Sequence, residues 1–176
     1  NKEFKRIYID LPGMGNSEAG SLRTADEILN LLRTFIFEMI PDENILLMGE
    51  SFGGYLSRGL VKMIPEKIDG LILLCPAVYT GVRRGKVIPH KVLECDEEFL
   101  NILSKEEKES FSYMNVILTE KVWRQYKKDV YDAVLHQNTH YLSNVLKGEC
   151  SFDVDDLTEA FTKPTLMLVG KQDTEV

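Results

Sequence analysis

Five consecutive residues, Gly49-Glu50-Ser51-Phe52-Gly53, set a hydroxyl between two glycines. The pattern G-x-S-x-G does chemistry when a strand ends at its first glycine and a helix starts just after the serine, because the sharp turn then throws the hydroxyl outward. Glycine tolerates the crowding and unusual dihedrals of such a turn, so Gly49 and Gly53 read as elbow glycines. Ser51 there is a candidate nucleophile, at the positive end of the next helix where developing negative charge is favoured. The Phe52 N–H is placed to donate to an oxyanion, and one such donor is typically worth about 10²- to 10³-fold in rate. The bland alternative is a turn serine joining a strand to a helix.

The flanking residues have the required types. Ile45-Leu46-Leu47-Met48 is an apolar run that stops at Gly49, and Phe52, Tyr55, Leu56, Gly59, Leu60 and Met63 then recur at helical spacing. Upstream, Arg6–Asp10 reads as a strand, followed by the tight loop Leu11-Pro12-Gly13-Met14-Gly15-Asn16-Ser17. A phosphate-cradling role for that loop fails, since Glu18 stands where G-x-G-x-x-G needs glycine and no Lys-Ser/Thr follows. Thr24 and Glu27 fit a capping box opening a helix with Ile28, Leu32, Phe35, Ile36 and Met39 at helical spacing. Pro41–Asn44 ends it, and Ile68–Cys75 supplies a further strand closed by Pro76. Strands alternating with helices imply a parallel sheet with helical crossovers, and the apolar runs 45–48 and 71–74 predict cover on both faces.

From Thr80 to Lys86 the chain turns polar and basic, which reads as a linker. About eighty residues then lack a convincing strand; Ser104–Glu107 and Thr119 look like helix starts, with Val122, Tyr126, Val130 and Val134 at helical spacing and Gly148 as a stop. Lys163-Pro164 leads into an apolar strand, Thr165–Val169, and then Gly170-Lys171-Gln172-Asp173.

The 176 residues are 44% hydrophobic and 28% charged, an ordinary globular composition. A net charge of -7 argues against a general nucleic-acid or membrane-surface binder, which needs a basic patch. No window approaches the roughly 18 apolar residues of a membrane span, and no signal-peptide layout opens the chain. Cys75, Cys95 and Cys150 are odd in number and have no metal-type spacing, which suits a reducing, cytoplasmic setting. Cys75 reads as a small core residue. His136 and His140 would share a helix face with Asp132, but no Glu fills an H-E-x-x-H position and no third ligand is identifiable, so no metal is expected.

Three segments together resemble the α/β-hydrolase family of serine hydrolases. They are Gly49–Gly53, the segment Asp10–Ser17, similar to the family's D-x-P-G-x-G-x-S loop, and Gly170–Asp173, similar to the G-x-x-D turn carrying the acid of its triad. The resemblance implies an α/β fold, part of a mostly parallel sheet with helical crossovers. It divides the chain into a core over 1–80 (strands 4 to 6 of the family), a helical cap over 81–162 and a return to the core over 163–176. The cap would roof the pocket, with Phe111, Met114, Trp123 and Tyr126 as candidate lining residues, although residues of these types at helical spacing are more often core. Asp173 would hold a catalytic imidazole in the correct tautomer.

In this family the order is serine, acid, histidine, and no histidine follows Asp173. His90, His136 and His140 lie in the linker or cap. The family's first three strands and its second oxyanion donor are likewise unrepresented, so the sequence reads as a piece of a longer protein, inactive by itself for want of a base. The expectation is a cytoplasmic serine hydrolase acting on a carboxylic ester, thioester or small amide through an acyl-enzyme, without metal or organic cofactor. Its partner is a small acyl substrate rather than nucleic acid or membrane. A non-catalytic ligand-binding member of the fold, or C–C hydrolysis, acyl transfer or perhydrolysis on the same scaffold, are the alternatives. A serine in place of an aspartate nucleophile disfavours dehalogenase and epoxide hydrolase chemistry.

Overall fold

Thr24 and Glu27 cap one another: the Glu27 N–H donates to Thr24 Oγ1 at 3.2 Å and the Thr24 N–H to Glu27 Oε2 at 3.0 Å. With two donors satisfied and Asp26 and Glu27 facing the helix's positive end, α1 (Ala25–Met39) starts where the capping pattern predicts. It buries Ile28, Leu29, Leu32 and Ile36, each worth about 1.5–3 kcal/mol when fully removed from water. Met39, expected on that face, is instead 64% exposed in the last turn. The structure, a computed structural model, describes residues 4–77, 89–147, 153–154 and 159–173. The linker expected at Thr80–Lys86 and the helix stop at Gly148 lie outside the described residues, apart from which the chain forms two compact units.

One unit comprises residues 22–90 and 144–176. Its sheet is parallel, in the order β1 (Ile45–Glu50), β2 (Ile68–Leu74), β5 (Thr165–Leu168), with Leu47 opposite Leu71 and Ile72 opposite Leu166. Helix α2 (Phe52–Met63) is the crossover from β1 to β2 and buries Tyr55, Leu56, Gly59, Leu60 and Val61. A single turn at Pro65–Lys67 then leads into β2. Asp69 anchors the start of β2, accepting from Lys163 Nζ at 3.1 Å and Asn44 Nδ2 at 3.0 Å. The sheet is an open one with helical crossovers, as expected.

Cover on both faces does not hold for every strand. Leu46 and Met48 are 55% and 64% exposed, and β5 is exposed throughout. Register puts Leu46, Met48, Ile72, Leu166 and Leu168 on one face, while Leu47, Gly49, Leu71 and Leu73 point to the other, the side on which Gly49 meets α2. The continuous apolar runs record both faces, but only one is packed among the described residues.

The other unit comprises residues 1–21 and 91–143, so the helical insertion expected over 81–162 is represented there by 91–143, joined by the N-terminal segment. The strand expected over Arg6–Asp10 does not form. That segment is exposed, Tyr8 by 87%, and no described strand pairs with it to satisfy its backbone groups. The loop after it is ordered: Asn16 N–H donates to Asp10 Oδ2 at 3.0 Å and Ser17 Oγ to the Asp10 carbonyl at 2.7 Å, with Gly13 and Gly15 at positive φ.

Helices α3 (Glu97–Leu100), α4 (Lys105–Met114) and α5 (Glu120–Tyr126) surround Leu100, Phe111, Leu118, Trp123 and Tyr126. Two two-residue strands, β3 (Glu94–Cys95) and β4 (Ile117–Leu118), pair in parallel in a region expected to be free of strands. A π-turn at Lys127–Tyr131 carries α5 into α6 (Asp132–Val134), and the helix breaks before α7 (Thr139–Lys147). His136 and His140 therefore do not share a helix face: His136 lies in the turn, and Asn138 caps α7 by accepting from Tyr141 N–H at 3.0 Å.

Candidate active site

The turn from β1 to α2 forces Ser51 to φ 48° and ψ -118°, a conformation that costs a non-glycine residue about 1–3 kcal/mol. It is held there from several sides. The Ser51 N–H donates to the Leu74 carbonyl at 3.0 Å, and the Ser51 carbonyl accepts from Gly54, Tyr55 and Ala77 at 2.9, 3.2 and 2.9 Å. Although Ser51 occupies the N-cap position, its side chain makes no capping hydrogen bond, and the residue is exposed. A serine selected only to start a helix would accept from an N–H of the first turn. Phe52 opens α2, where amides lack intrahelical acceptors, and its ring stacks on Tyr55 with centroids 6.0 Å apart.

The glycines divide their roles differently from the expectation. A Cβ on Gly49 would press on the Gly53 carbonyl group, whose carbon lies 2.6 Å away, and on Ser57 Oγ. Buried Ser57 closes that contact by donating to the Gly53 carbonyl at 2.7 Å. A Cβ on Gly53 meets nothing within 4 Å. Gly54 is the second crowded position: its Cβ would fall 2.6 Å from Pro76 Cβ and 2.8 Å from Pro76 Cα. Gly53 enters the elbow through its carbonyl, whereas Gly54 allows α2 to approach the end of β2.

Asp173 follows β5 in the turn read from the sequence, its N–H donating to the Gly170 carbonyl at 3.1 Å. Because β1, β2 and β5 are parallel, Ser51 and Asp173 both follow the carboxyl ends of their strands, with the end of β2 between those strands. Cys75 stands at that end. It is half-buried rather than core, has φ 41°, and donates its N–H to the Leu168 carbonyl at 2.7 Å. Burial pushes the Cys75 thiol up from its ordinary value, and the neighbouring Asp173 carboxylate adds to the rise, against a smaller opposing effect of the Gly170 backbone. This neighbour of Asp173 was not legible as such, since a cysteine ending an apolar run looks like core until the strand order places it beside the acid turn.

A cleft in each unit is lined by residues other than these. One, of about 540 Å³, is bounded by the Asp10, Met14, Gly15 and Asn16 loop with Ala133, His136 and Gln137; the other, of about 420 Å³, lies against Arg58, Leu71, Leu73 and Phe161. Phe111, Trp123 and Tyr126, candidate pocket residues, form the core of their own unit, and Met114 is 59% exposed. Among the described residues, no group of three His, Cys, Asp or Glu is arranged to hold a metal ion, and no helix is long and apolar enough to cross a membrane.

The family model described as "Serine aminopeptidase, S33" matches residues 1–176. The fold is similar to the crystal structure of an alpha/beta superfamily hydrolase from Oenococcus oeni PSU-1, with a TM-score of 0.81 and 28% identity over 96% of this chain and 63% of that one. A Mycoplasma genitalium protein provisionally named esterase/lipase 2 is 25% identical over 98% of this chain and 62% of its own length. The 2-succinyl-6-hydroxy-2,4-cyclohexadiene-1-carboxylate synthase of Escherichia coli O7:K1 is 34% identical over 47% of this chain and 30% of its own. The chain thus spans less than two thirds of the length of these relatives.

Proposed function

Since the chain belongs to the serine aminopeptidase S33 family of α/β-hydrolases, we propose that its parent protein is a serine hydrolase that cleaves a carboxylic ester, thioester or small amide through an acyl-enzyme. The observation that carries this reading is Ser51 itself, an exposed residue held at φ 48° whose side chain forgoes capping.

Ser51 Oγ attacks the carbonyl carbon and gives its proton to a histidine supplied from outside these residues; the tetrahedral oxyanion is met by the Phe52 N–H at the start of α2. The imidazolium returns the proton to the leaving oxygen, sulfur or nitrogen, leaving Ser51 acylated. Water, deprotonated by the same imidazole, then releases the acid and restores Ser51. Asp173 orients the imidazole and stabilises its charged form. The insertion represented by residues 91–143 is the proposed cap. The free thiols of Cys75 and Cys95 support a reducing, cytoplasmic setting.

The full-length protein should hydrolyse p-nitrophenyl esters of short acids, and Ser51→Ala should lower kcat by about 10⁴-fold or more. Unchanged turnover in Ser51→Ala would overturn the assignment. Similarity to the E. coli synthase favours a second reading, in which Ser51 serves a reaction other than hydrolysis. Release of a carboxylic acid with one solvent oxygen-18 separates hydrolysis from it.

A further inference from the structure

Three backbone N–H groups converge on the Ser51 carbonyl. Those of Gly54 and Tyr55, at 2.9 and 3.2 Å, belong to the first turn of α2, whereas that of Ala77, at 2.9 Å, comes from beyond the end of β2. The Ser51 carbonyl shares its peptide unit with the Phe52 N–H, and no cis peptide bond occurs among the described residues. In a trans unit the two groups point in nearly opposite directions, so whatever fixes the carbonyl also aims the N–H. At φ 48° and ψ -118° Ser51 lies outside the common backbone basins, so dihedral preference alone does not hold this plane in place. The Phe52 N–H itself has no acceptor among the described residues.

The segment that delivers Ala77 is fastened in turn. Leu74 accepts from Ser51 N–H at 3.0 Å, and Cys75 turns the chain at φ 41° while its N–H reaches the Leu168 carbonyl at 2.7 Å. Pro76 is fully buried, its Cβ 2.6 Å from where a Cβ on Gly54 would fall. From this arrangement we infer that Ala77 is a positioning residue for the oxyanion hole: its N–H holds the Ser51 carbonyl and so directs the Phe52 N–H at the substrate oxyanion, with Pro76 fixing where the Ala77 N–H lies. The inference rests on the serine-hydrolase reading above. A bond from the end of a neighbouring strand ties the donor to the sheet as well as to the first turn of its own helix, so the donor needs no reorientation when the oxyanion forms.

The test uses the full-length protein and the variants Ala77→Pro, which deletes the N–H, and Pro76→Ala, which keeps it but loosens its hold. Single-turnover acylation is measured with a p-nitrophenyl ester and with the matching thionoester, whose sulfur is a weak hydrogen-bond acceptor and therefore draws little on the oxyanion donor. Ala77→Pro should slow acylation by the oxygen ester about 10- to 10²-fold, part of what such a donor supplies, and change the thionoester rate little. Pro76→Ala should act in the same direction by a smaller factor, and it decides by the same ratio if Ala77→Pro does not fold. A wild-type rate with the oxygen ester, or equal losses on the two esters, would overturn the inference, the second because a displaced Ser51 slows both alike. If either result accompanies loss of activity in Ser51→Ala, this role alone fails; activity retained in Ser51→Ala overturns the hydrolase reading with it.

Discussion

Gly53 and Gly54 are adjacent and chemically identical, yet only Gly54 faces a wall, the Pro76 ring 2.6 Å from where a Cβ would fall. Gly54→Ala should therefore destabilise the full-length protein by about 1–3 kcal/mol, the usual cost of overpacking. Gly53→Ala, with open space before it, should change stability little. Denaturant unfolding of the two variants checks this, and equal losses would contradict the division of roles. Ser51 was legible because the motif and both flanking periodicities agree on one turn. Gly54 was not: its reason lies in Pro76, more than twenty positions away, and only the fold brings the two together.

Helix starts were the most readable elements, because a capping box is a local reciprocal pair: Thr24 with Glu27 and Ser104 with Glu107 both form. Elements decided by distant packing were less so. β3 and β4 are two residues each, too short to show a period, and the break at residues 135–138 depends on Asn138, whose N–H also donates to the Gly13 carbonyl at 2.8 Å. At this scale Phe111 is the element-binding residue, fully buried with its ring 5.3 Å from that of Trp123 in an edge arrangement. Phe111→Ala should cost about 3–5 kcal/mol, read as a fall in unfolding free energy.

The tie between the start of β2 and the approach to β5 has a pH signature. The Lys163 ammonium, and then the Asn44 amide, hold the Asp69 carboxyl below its ordinary value. A depressed folded value gives stability that is fully present above the unfolded carboxyl's value, about 3.9, and is lost as pH falls through the lower folded value. Asp69→Asn should accordingly flatten the acid side of a stability-against-pH curve and leave its neutral-to-alkaline side parallel to wild type. The pair is solvent-exposed, so the change should be small and should shrink further in high salt.

Across the whole molecule, the parallel sense of the sheet followed from alternating strands and helices, while the openness of one face did not, since an apolar run reads the same whether or not something covers it. Leu46, Met48, Leu166 and Leu168 form an apolar face that is about half exposed. The 176-residue chain by itself should bind a hydrophobic dye such as ANS, and Leu46→Lys with Met48→Lys should reduce the signal severalfold. The most direct measurement of the central claim is reaction of the full-length protein with a fluorophosphonate probe, followed by mass mapping of the adduct. The account predicts a single phosphonylated peptide with the modification on Ser51 and no labelling of Ser51→Ala. Equal labelling of the two proteins, or an adduct on another residue, would contradict it.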